Sequence, residues 1–388
     1  MESGLESKQW WVALRLVPNL NRVRFYTLID HFQSPEAVFG ATAKEIASLR
    51  GFNEELARSI LAAPERRAWE AEFELIAKYG VRLLTLEDEE YPENFRQSSF
   101  PPPLLYVRGN IDPLDRFSVA VIGSRRATQY GKTVAEEFSA RLAQAGVTIV
   151  SGFARGVDSV AHRAALASGG RTIGVLGNGL GVCYPSENSR LAEEIVSRGA
   201  LMSEYPMLAP PDRFNFPERN HLIAALALGT LVVEAAEKSG ALITAREALE
   251  ENRFVFAVPG DITRENSRGT NALIQAGAKL VQSAEDILTE MAPVLRGLLN
   301  SNKQNSRLSP EPISGLPSSS AAAPGEEKLD ELERVVLSHV RQEPVYFDAL
   351  LARMDASVTV QQLSSVLFSL EMKRLVKQLP GRMYASLS

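Results

Sequence analysis

Glycines, hydroxyl groups and cations follow the apolar runs in the middle of this 388-residue sequence. Glycine lets backbone N–H groups approach an anion, and arginine or lysine supplies a mobile positive charge. The residues that could hold phosphate in this way are Gly123, Ser124, Arg125, Arg126, Ser151, Gly152, Arg155, Gly156, Asn178, Lys238, Ser239 and Gly240. Gly177 and Gly179 flank Asn178, and a fifth strand end carries Gly260 and Asp261. One such loop is usually only a tight connection, but five of them in one region predict a phosphate-binding surface.

A second segment interleaves arginines with aromatic residues. Arg213 and Phe214 are followed by Phe216, and Arg219 comes three residues later. Unpaired bases stack on aromatic rings while guanidinium groups hold the phosphate backbone. The segment therefore favours a platform for single-stranded nucleic acid. The alternative is that Phe214 or Phe216 faces inward and anchors the loop.

The elements that position these residues follow from the apolar pattern. Seven apolar runs of strand length are separated by helix-length amphipathic segments, at residues 119–123, 147–151, 172–177, 200–204, 230–234, 254–258 and 279–281. Continuous apolar strands indicate burial on both faces, which predicts a doubly wound parallel α/β sheet of the extended Rossmann-like kind. Right-handed crossovers place all strand-to-helix loops at one edge, where ligands bind in such sheets.

Composition divides the chain into four predicted parts. Residues 1–78 form an all-α module, SAM-like or helix-hairpin-helix-like, in which Gly51 separates two apolar helices. That pair could hold a phosphate at its turn or serve only as a packing hairpin. Residues 79–299 form the α/β domain, which begins with a proline-rich lead-in of one or two edge strands. Residues 300–325 read as a flexible linker and residues 326–388 as a winged-helix unit.

The winged-helix prediction rests on three helices and a hairpin, expected at residues 329–340, 347–354, 360–375 and 376–384. The unit carries eight Lys/Arg and nine Asp/Glu, a net charge of -1. That charge is poor for an independent DNA-binding domain. Contact with a protein and weak contact with DNA both stay open.

Composition and spacing also exclude several classes of function. The net charge of -5 excludes a nonspecific polycation, so a nucleic-acid site must be a local basic patch. A single cysteine, Cys183, precludes an intrachain disulfide and fits a reducing cytoplasm, and we expect it to be buried. The four histidines lack metal-ligand spacing. The sequence predicts a cytoplasmic protein without membrane span, export signal, metal or cofactor.

Two nucleotide-binding motifs fail on spacing. Seven residues separate Gly123 from Gly131, whereas a P-loop requires four. Ser124 is followed by two arginines, so the first loop does not contain the glycine pattern of NAD-binding domains.

Several consecutive segments closely resemble the DNA-processing protein A family (DprA, also called Smf). They cover about residues 83–285 and read GSRRATQYG, SGFARGVDSVAH, VLGNGLGVCYPSEN, FPERNHLIA, VVEAAEKSGALITA, AVPG and RGTNALIQAGA. The resemblance implies a cytoplasmic, non-enzymatic protein that binds single-stranded DNA, protects incoming strands in natural transformation and loads the RecA recombinase. It also implies a homodimer through the α/β domain, with single-strand-binding protein as a further candidate partner.

The resemblance assigns the DNA pocket to particular residues of this chain. They are Arg125, Arg213, Phe216, Arg219, Asn220 and Lys238. One departure is His221, because the family usually has a second arginine after the asparagine. That change could weaken phosphate contact or make it pH-dependent, and we assign His221 no role.

Two other functions remain as alternatives. An enzyme of the lysine-decarboxylase-like phosphoribohydrolase kind could use Asp158, His162 and Glu234 as acid–base groups, but its P-G-G-x-G-T-x-x-E motif is missing as a unit. Asp158 and Glu234 more simply cap helices or pair with arginines. The third possibility is a scaffold whose pocket binds a free nucleotide as a signal.

Overall fold

Apolar residues at helical spacing form six short helices in the N-terminal module, residues 8–79. They are α1 (Gln9–Arg15), α2 (Arg22–Phe32), α3 (Pro35–Gly40), α4 (Ala43–Ser48), α5 (Glu54–Leu61) and α6 (Ala68–Tyr79). The side chains of Asn21, Ser34, Thr42 and Asn53 accept backbone N–H bonds at the starts of α2 to α5, which fixes where these helices begin. The predicted pair around Gly51 is α4 and α5, and Gly51 has a φ of 88°.

The computed structural model describes residues 8–305, 331–342, 345–354, 358, 363, 366–367, 370, 375–379 and 383–386. Residues through Thr289 form one compact unit. Within the described ranges, no helix combines the length and the apolar character needed to cross a membrane.

A nine-stranded sheet forms the centre of the first unit. Its strands are β1 (Val81–Leu84), β2 (Leu105–Gly109), β3 (Ser118–Ile122), β4 (Thr148–Ser151), β5 (Thr172–Val175), β6 (Ala200–Ser203), β7 (Gly229–Val232), β8 (Phe254–Ala257) and β9 (Lys279–Leu280). The order across the sheet is β1-β2-β6-β5-β4-β3-β7-β8-β9. The seven strands β3 to β9 run parallel, as the apolar runs predicted.

The proline-rich lead-in supplies the other two strands. β2 pairs antiparallel with β6, and β1 pairs antiparallel with β2. The predicted edge strands are therefore present, but they extend the main sheet and make it mixed. Tyr106 and Val107 on β2 are fully buried, because the N-terminal module and the sheet's own helices cover this end.

Helices cover both faces of the sheet, as the doubly wound prediction required. They are α7 (Glu93–Arg96), α8 (Gln129–Gln144), α9 (Val157–Ala167), α10 (Ser189–Arg198), α11 (Asn215–Leu226), α12 (Gly240–Glu250), α13 (Glu265–Gln275) and α14 (Ala284–Asn305). The chain leaves β3 toward β4 on one side, whereas β7 lies on the other side of β3. Diverging connections at this point open a crevice beyond the carboxyl ends of β3 and β7.

The second unit contains α15 (Glu331–Gln342), β10 (Val345–Tyr346), α16 (Phe347–Ala352), β11 (Val376–Leu379) and β12 (Met383–Ser386). The three strands form an antiparallel sheet in the order β10-β12-β11, which confirms the hairpin and adds β10. Leu363, Val366, Leu367 and Leu370 are helical, and the rest of the helix predicted at 360–375 lies outside the described residues. So does most of the predicted linker, although α14 extends to Asn305.

Candidate nucleic-acid interface

A cleft of about 1170 Å³ opens at the crevice between β3 and β7. Five segments form its walls: the loops after β3, β4 and β7 and the starts of α11 and α13. Eleven of the sixteen predicted phosphate-binding residues line it, namely Gly123, Ser124, Arg125, Arg126, Arg213, Phe216, Arg219, Asn220, Lys238, Ser239 and Gly240. The fold thus brings together residues that lie more than a hundred positions apart in the sequence.

The cleft is cationic although the protein is acidic. Six Lys/Arg and three Asp/Glu line it, a formal charge of +3. Five of the cations are exposed, and in the described part of the chain none has a carboxylate within ion-pair distance: Arg125, Arg126, Arg213, Lys238 and Arg268. Unpaired guanidinium and ammonium groups along one cleft are suited to an extended polyanion.

An arginine and two aromatic rings meet at one side of the cleft. The guanidinium carbon of Arg125 lies 5.0 Å from the centroid of the Phe216 ring. The Tyr184 ring is 5.8 Å from the same centroid and tilted by 32°. Cation–π and ring contacts of this kind hold the arginine in place while leaving its N–H groups available to an anion. The cleft therefore contains both components that the sequence predicted.

The start of α12 also faces the cleft. Ser239 caps this helix by accepting the N–H of Ala241, and Gly240 begins the first turn. A Cβ at Gly240 would have no atom within 4 Å, so the backbone there is open to a ligand. Lys238 lies immediately before the cap and is exposed. A helix N-terminus with an adjacent cation is a favourable position for a phosphate.

Arg219 lines the cleft but differs from its other five cations, because backbone carbonyls hold its side chain. The residue is buried, and its Nη1 donates to the carbonyl oxygen of Gly152 at 2.6 Å and to that of Val175. Burial raises the pKa of the neighbouring Asp158 carboxyl, which the positive charges of Arg219 and Arg125 oppose. Burial lowers the pKa of Arg219 to about 10, so the guanidinium stays charged at neutral pH. This group ties together the loops after β4 and β5.

Five predicted residues lie outside the cleft. Ser151 donates its hydroxyl proton to the Val121 carbonyl at 2.6 Å, and the Asn178 amide donates to the Val182 carbonyl at 2.7 Å. Arg155 forms an exposed ion pair with Glu187. The full set outside the cleft is Ser151, Gly152, Arg155, Gly156 and Asn178, of which Gly152, Arg155 and Asn178 line a neighbouring cavity of about 50 Å³. Their side-chain bonds shape the loops, and DNA contact by them stays a prediction.

The loop glycines are required mainly by close packing. A Cβ at Gly152 would lie 2.7 Å from a carboxylate oxygen of Asp158, and one at Gly177 would lie 2.8 Å from the Phe216 ring. Gly156 has a φ of +77° and packs on the backbone of Ser124. We expected the loop glycines to open the backbone to an anion. Gly240 fits this expectation far better than Gly152, Gly156 and Gly177, which are needed for packing.

The residues considered for acid–base chemistry have structural roles. Glu234 accepts the backbone N–H of Thr128 at 2.9 Å and its hydroxyl at 2.5 Å, which holds the start of α8. His162 is fully buried, its Nδ1 lies 2.6 Å from the Thr172 hydroxyl, and burial lowers its pKa to about 3. Of the three candidates only Asp158 lines the cleft.

Two further expectations are corrected by the structure. His221 is buried on the other face of α11, with its Nδ1 against the Glu218 carbonyl, and burial lowers its pKa to about 3. It is therefore neutral at physiological pH, and its Nε2 lies 3.8 Å from Glu204 rather than in the cleft.

Cys183 is exposed, not buried as the sequence predicted. The sequence pattern missed Tyr184 and Arg268, which line the cleft.

In the ranges that the structure describes, no three His, Cys, Asp or Glu side chains are grouped so as to hold a metal ion.

The chain combines a Rossmann-like domain, which contains a cationic and aromatic cleft, with a winged-helix unit. This combination is typical of a DNA-processing protein. A family model described as DNA recombination-mediator protein A matches residues 82–292, and one described as the DprA winged helix domain matches residues 320–382.

Known proteins agree with these matches. The chain is 32% identical over 392 residues to Protein Smf of Synechocystis sp., covering 97% of this chain and 98% of that protein. It is 45% identical over 203 residues to the DNA processing protein DprA of Streptococcus pneumoniae, covering 52% of this chain and 72% of the relative. The X-ray structure of that bacterium's DprA superposes with a TM-score of 0.62 at 34% identity, over 73% of this chain and 97% of that one. The chain belongs to the DprA/Smf family.

Proposed function

We propose that the cleft binds single-stranded DNA and that the protein passes the bound strand to a recombinase. The observation that carries this proposal is that five exposed cations, without ion-pair partners within the described residues, line the same cleft as an aromatic pair. Phosphates require the cations, and only unpaired bases offer their faces to aromatic rings. Duplex DNA would contact the cations through its phosphates, but its bases are stacked on one another and could not stack on the aromatic rings.

The size of the cleft supports a strand over a single nucleotide. Its volume of about 1170 Å³ exceeds the roughly 300–1,000 Å³ that is usual for small-ligand pockets. The cations stand on different segments, with Arg125 and Arg126 after β3, Lys238 after β7 and Arg268 on α13. Several linked phosphates would engage all of them at once, whereas a mononucleotide would leave some unused.

The family model, which is described as that of a recombination mediator, supports a biological role for this binding. We propose that the protein protects incoming DNA in natural transformation and loads RecA, that it acts as a homodimer through its Rossmann-like domain, and that single-strand-binding protein is a further partner. We place this activity in the cytoplasm, where the recombinase acts on the strand. A non-enzymatic role is supported by the capping contacts of Glu234 and by the burial of His162.

Fluorescence anisotropy with the full-length protein tests the proposal. We expect tight binding of an oligothymidylate, weaker binding of a duplex of the same length, and marked loss of single-strand binding in Arg125→Ala/Arg213→Ala. Arg141→Ala is the matched control, because Arg141 is an exposed arginine in the last turn of α8 and outside the cleft. Equal affinity of the double variant and the control would overturn the assignment of the cleft.

A competition experiment separates the strand from a free nucleotide. Mononucleotides at millimolar concentration should leave the bound oligonucleotide in place. If they displace it at concentrations close to that of the oligonucleotide, the cleft is a nucleotide-sensing site. Release of base or phosphate from labelled nucleotides during the same incubation would instead support an enzyme.

A further inference from the structure

Phe214 and Phe216 stand two residues apart at the start of α11, and their surroundings differ. Successive residues of an α-helix are separated by about 100°, so side chains two positions apart point to different sides. Phe216 lines the cleft, whereas Phe214 is not among the lining residues. The two rings therefore cannot form one continuous surface inside the cleft.

The Phe216 ring is half-buried and already has several neighbours. The Arg125 guanidinium carbon lies 5.0 Å from its centroid, Tyr184 lies 5.8 Å away, and a Cβ at Gly177 would be 2.8 Å from Cδ1. A base that stacks where Arg125 lies must displace this guanidinium. In this structure Phe216 holds an arginine in position.

Phe214, in contrast to Phe216, is exposed to solvent. Its side chain is 66% exposed, which is unusual for a phenylalanine in a protein of this size. Its backbone is nevertheless fixed, because its N–H donates to the Asp212 carboxylate at 2.8 Å and it occupies the N-cap position of α11. An exposed ring on a rigid backbone loses little freedom when a flat partner stacks on it.

Arg213 connects this ring to the cleft. Its guanidinium carbon lies 4.7 Å from the centroid of the Phe214 ring, and the residue also lines the cleft. A strand that leaves the cleft past Arg213 therefore meets Phe214 next. The guanidinium could hold a phosphate at that point while the adjacent base lies on the ring.

We propose that Phe214 is a stacking platform at the rim of the cleft, which takes the base of the first nucleotide outside it. This inference rests on the proposed binding of single-stranded DNA. It gives Phe216 the further task of positioning Arg125 and adds Phe214 as a base contact outside the cleft, and it predicts that the occupied length of the strand extends beyond the cleft.

Oligothymidylates of increasing length test the proposal with the full-length protein. Stacking of one base corresponds to about 1–3 kcal/mol, so Phe214→Leu should weaken binding roughly 5- to 150-fold once the oligonucleotide extends past the cleft. Shorter oligonucleotides should bind the variant and the wild type equally. Phe214→Tyr keeps a flat ring and should restore the long-oligonucleotide affinity. Leu249→Ala, which removes a side chain of 57% exposure at the far end of α12, should have no effect.

The outcomes distinguish this inference from the function on which it rests. If the wild type does not bind oligothymidylate, the proposed function fails and the inference with it. If the wild type binds and Phe214→Leu matches it at every length, only the platform is overturned. A loss of equal size at all lengths also overturns the platform, because the ring would then act within the cleft. Urea unfolding of Phe214→Leu should match the wild type.

Discussion

The guanidinium of Arg125 lies over the ring of Phe216 at 5.0 Å, and this contact joins the loop after β3 to the first turn of α11. These two segments are ninety residues apart in the chain, yet together they form one wall of the cleft. The contact fixes an exposed arginine that would otherwise sample many rotamers, so part of the entropic cost of binding a phosphate is met before the ligand arrives.

Arg219 is expected to contribute to stability more than to DNA contact. Arg219→Ala leaves the buried carbonyls of Gly152 and Val175 without the guanidinium that donates to them. Leaving a buried polar group without its hydrogen-bond partner typically costs about 1–3 kcal/mol. Urea unfolding should show a loss of that order. A variant with unchanged unfolding free energy but lost DNA binding would show that Arg219 contacts the strand directly.

The two glycines Gly177 and Gly240 should respond differently to alanine. In Gly177→Ala the new Cβ would lie 2.8 Å from the Phe216 ring, so the ring or the strand end must move. Overpacking of this kind costs about 1–3 kcal/mol, and displacement of the ring should also weaken DNA binding. Gly240→Ala places its methyl group in open space and should be near neutral for stability. Equal unfolding free energies of the two variants in urea would contradict this account.

Each buried histidine contributes a loss of stability in mild acid, which the buried carboxyls of Asp158 and Glu204 oppose because burial raises their pKa. Burial lowers the pKa of both His162 and His221 to about 3, whereas each takes up a proton near pH 6.5 when unfolded. Their contribution is therefore complete above pH 6.5 and is lost progressively as the pH falls toward 3. At pH 5.5 the loss should be roughly 1 kcal/mol for each histidine relative to pH 7.5.

His221→Gln isolates one of these two contributions. The difference in unfolding free energy between pH 7.5 and pH 5.5 should shrink by roughly 1 kcal/mol in this variant. His31→Gln is the control, since His31 is exposed. If the two variants show the same pH dependence as the wild type, His221 is not a buried neutral histidine.

The sequence predicted the parallel strands correctly because their signal is local. β3 is fully buried and apolar from Val119 to Ile122, so a strand of this kind can be recognised without knowledge of its neighbours. The antiparallel pairing of β2 with β6 was not predictable in the same way. Residues 105–109 and 200–203 are far apart in the chain, and the pairing depends on how the lead-in folds back against the sheet.

Only some of the residues predicted for the candidate site line the cleft, and the reason is physical. A polar residue after a strand can point into the cleft or bond to a neighbouring loop, and its identity alone does not decide between them. Arg125 and Lys238 line the cleft with exposed side chains, whereas Ser151 and Asn178 donate to backbone carbonyls. Arg268 was missed because it lies on a helix, away from any strand end.

The salt dependence of single-strand binding tests the central claim most directly, because each neutralised phosphate contributes about 0.7 to the slope of log affinity against log salt. If Arg125 and Arg213 each hold one phosphate, Arg125→Ala/Arg213→Ala should bind oligothymidylate with a slope shallower by about 1.4, while Arg141→Ala keeps the wild-type slope. A double variant whose slope equals that of the wild type would contradict the account.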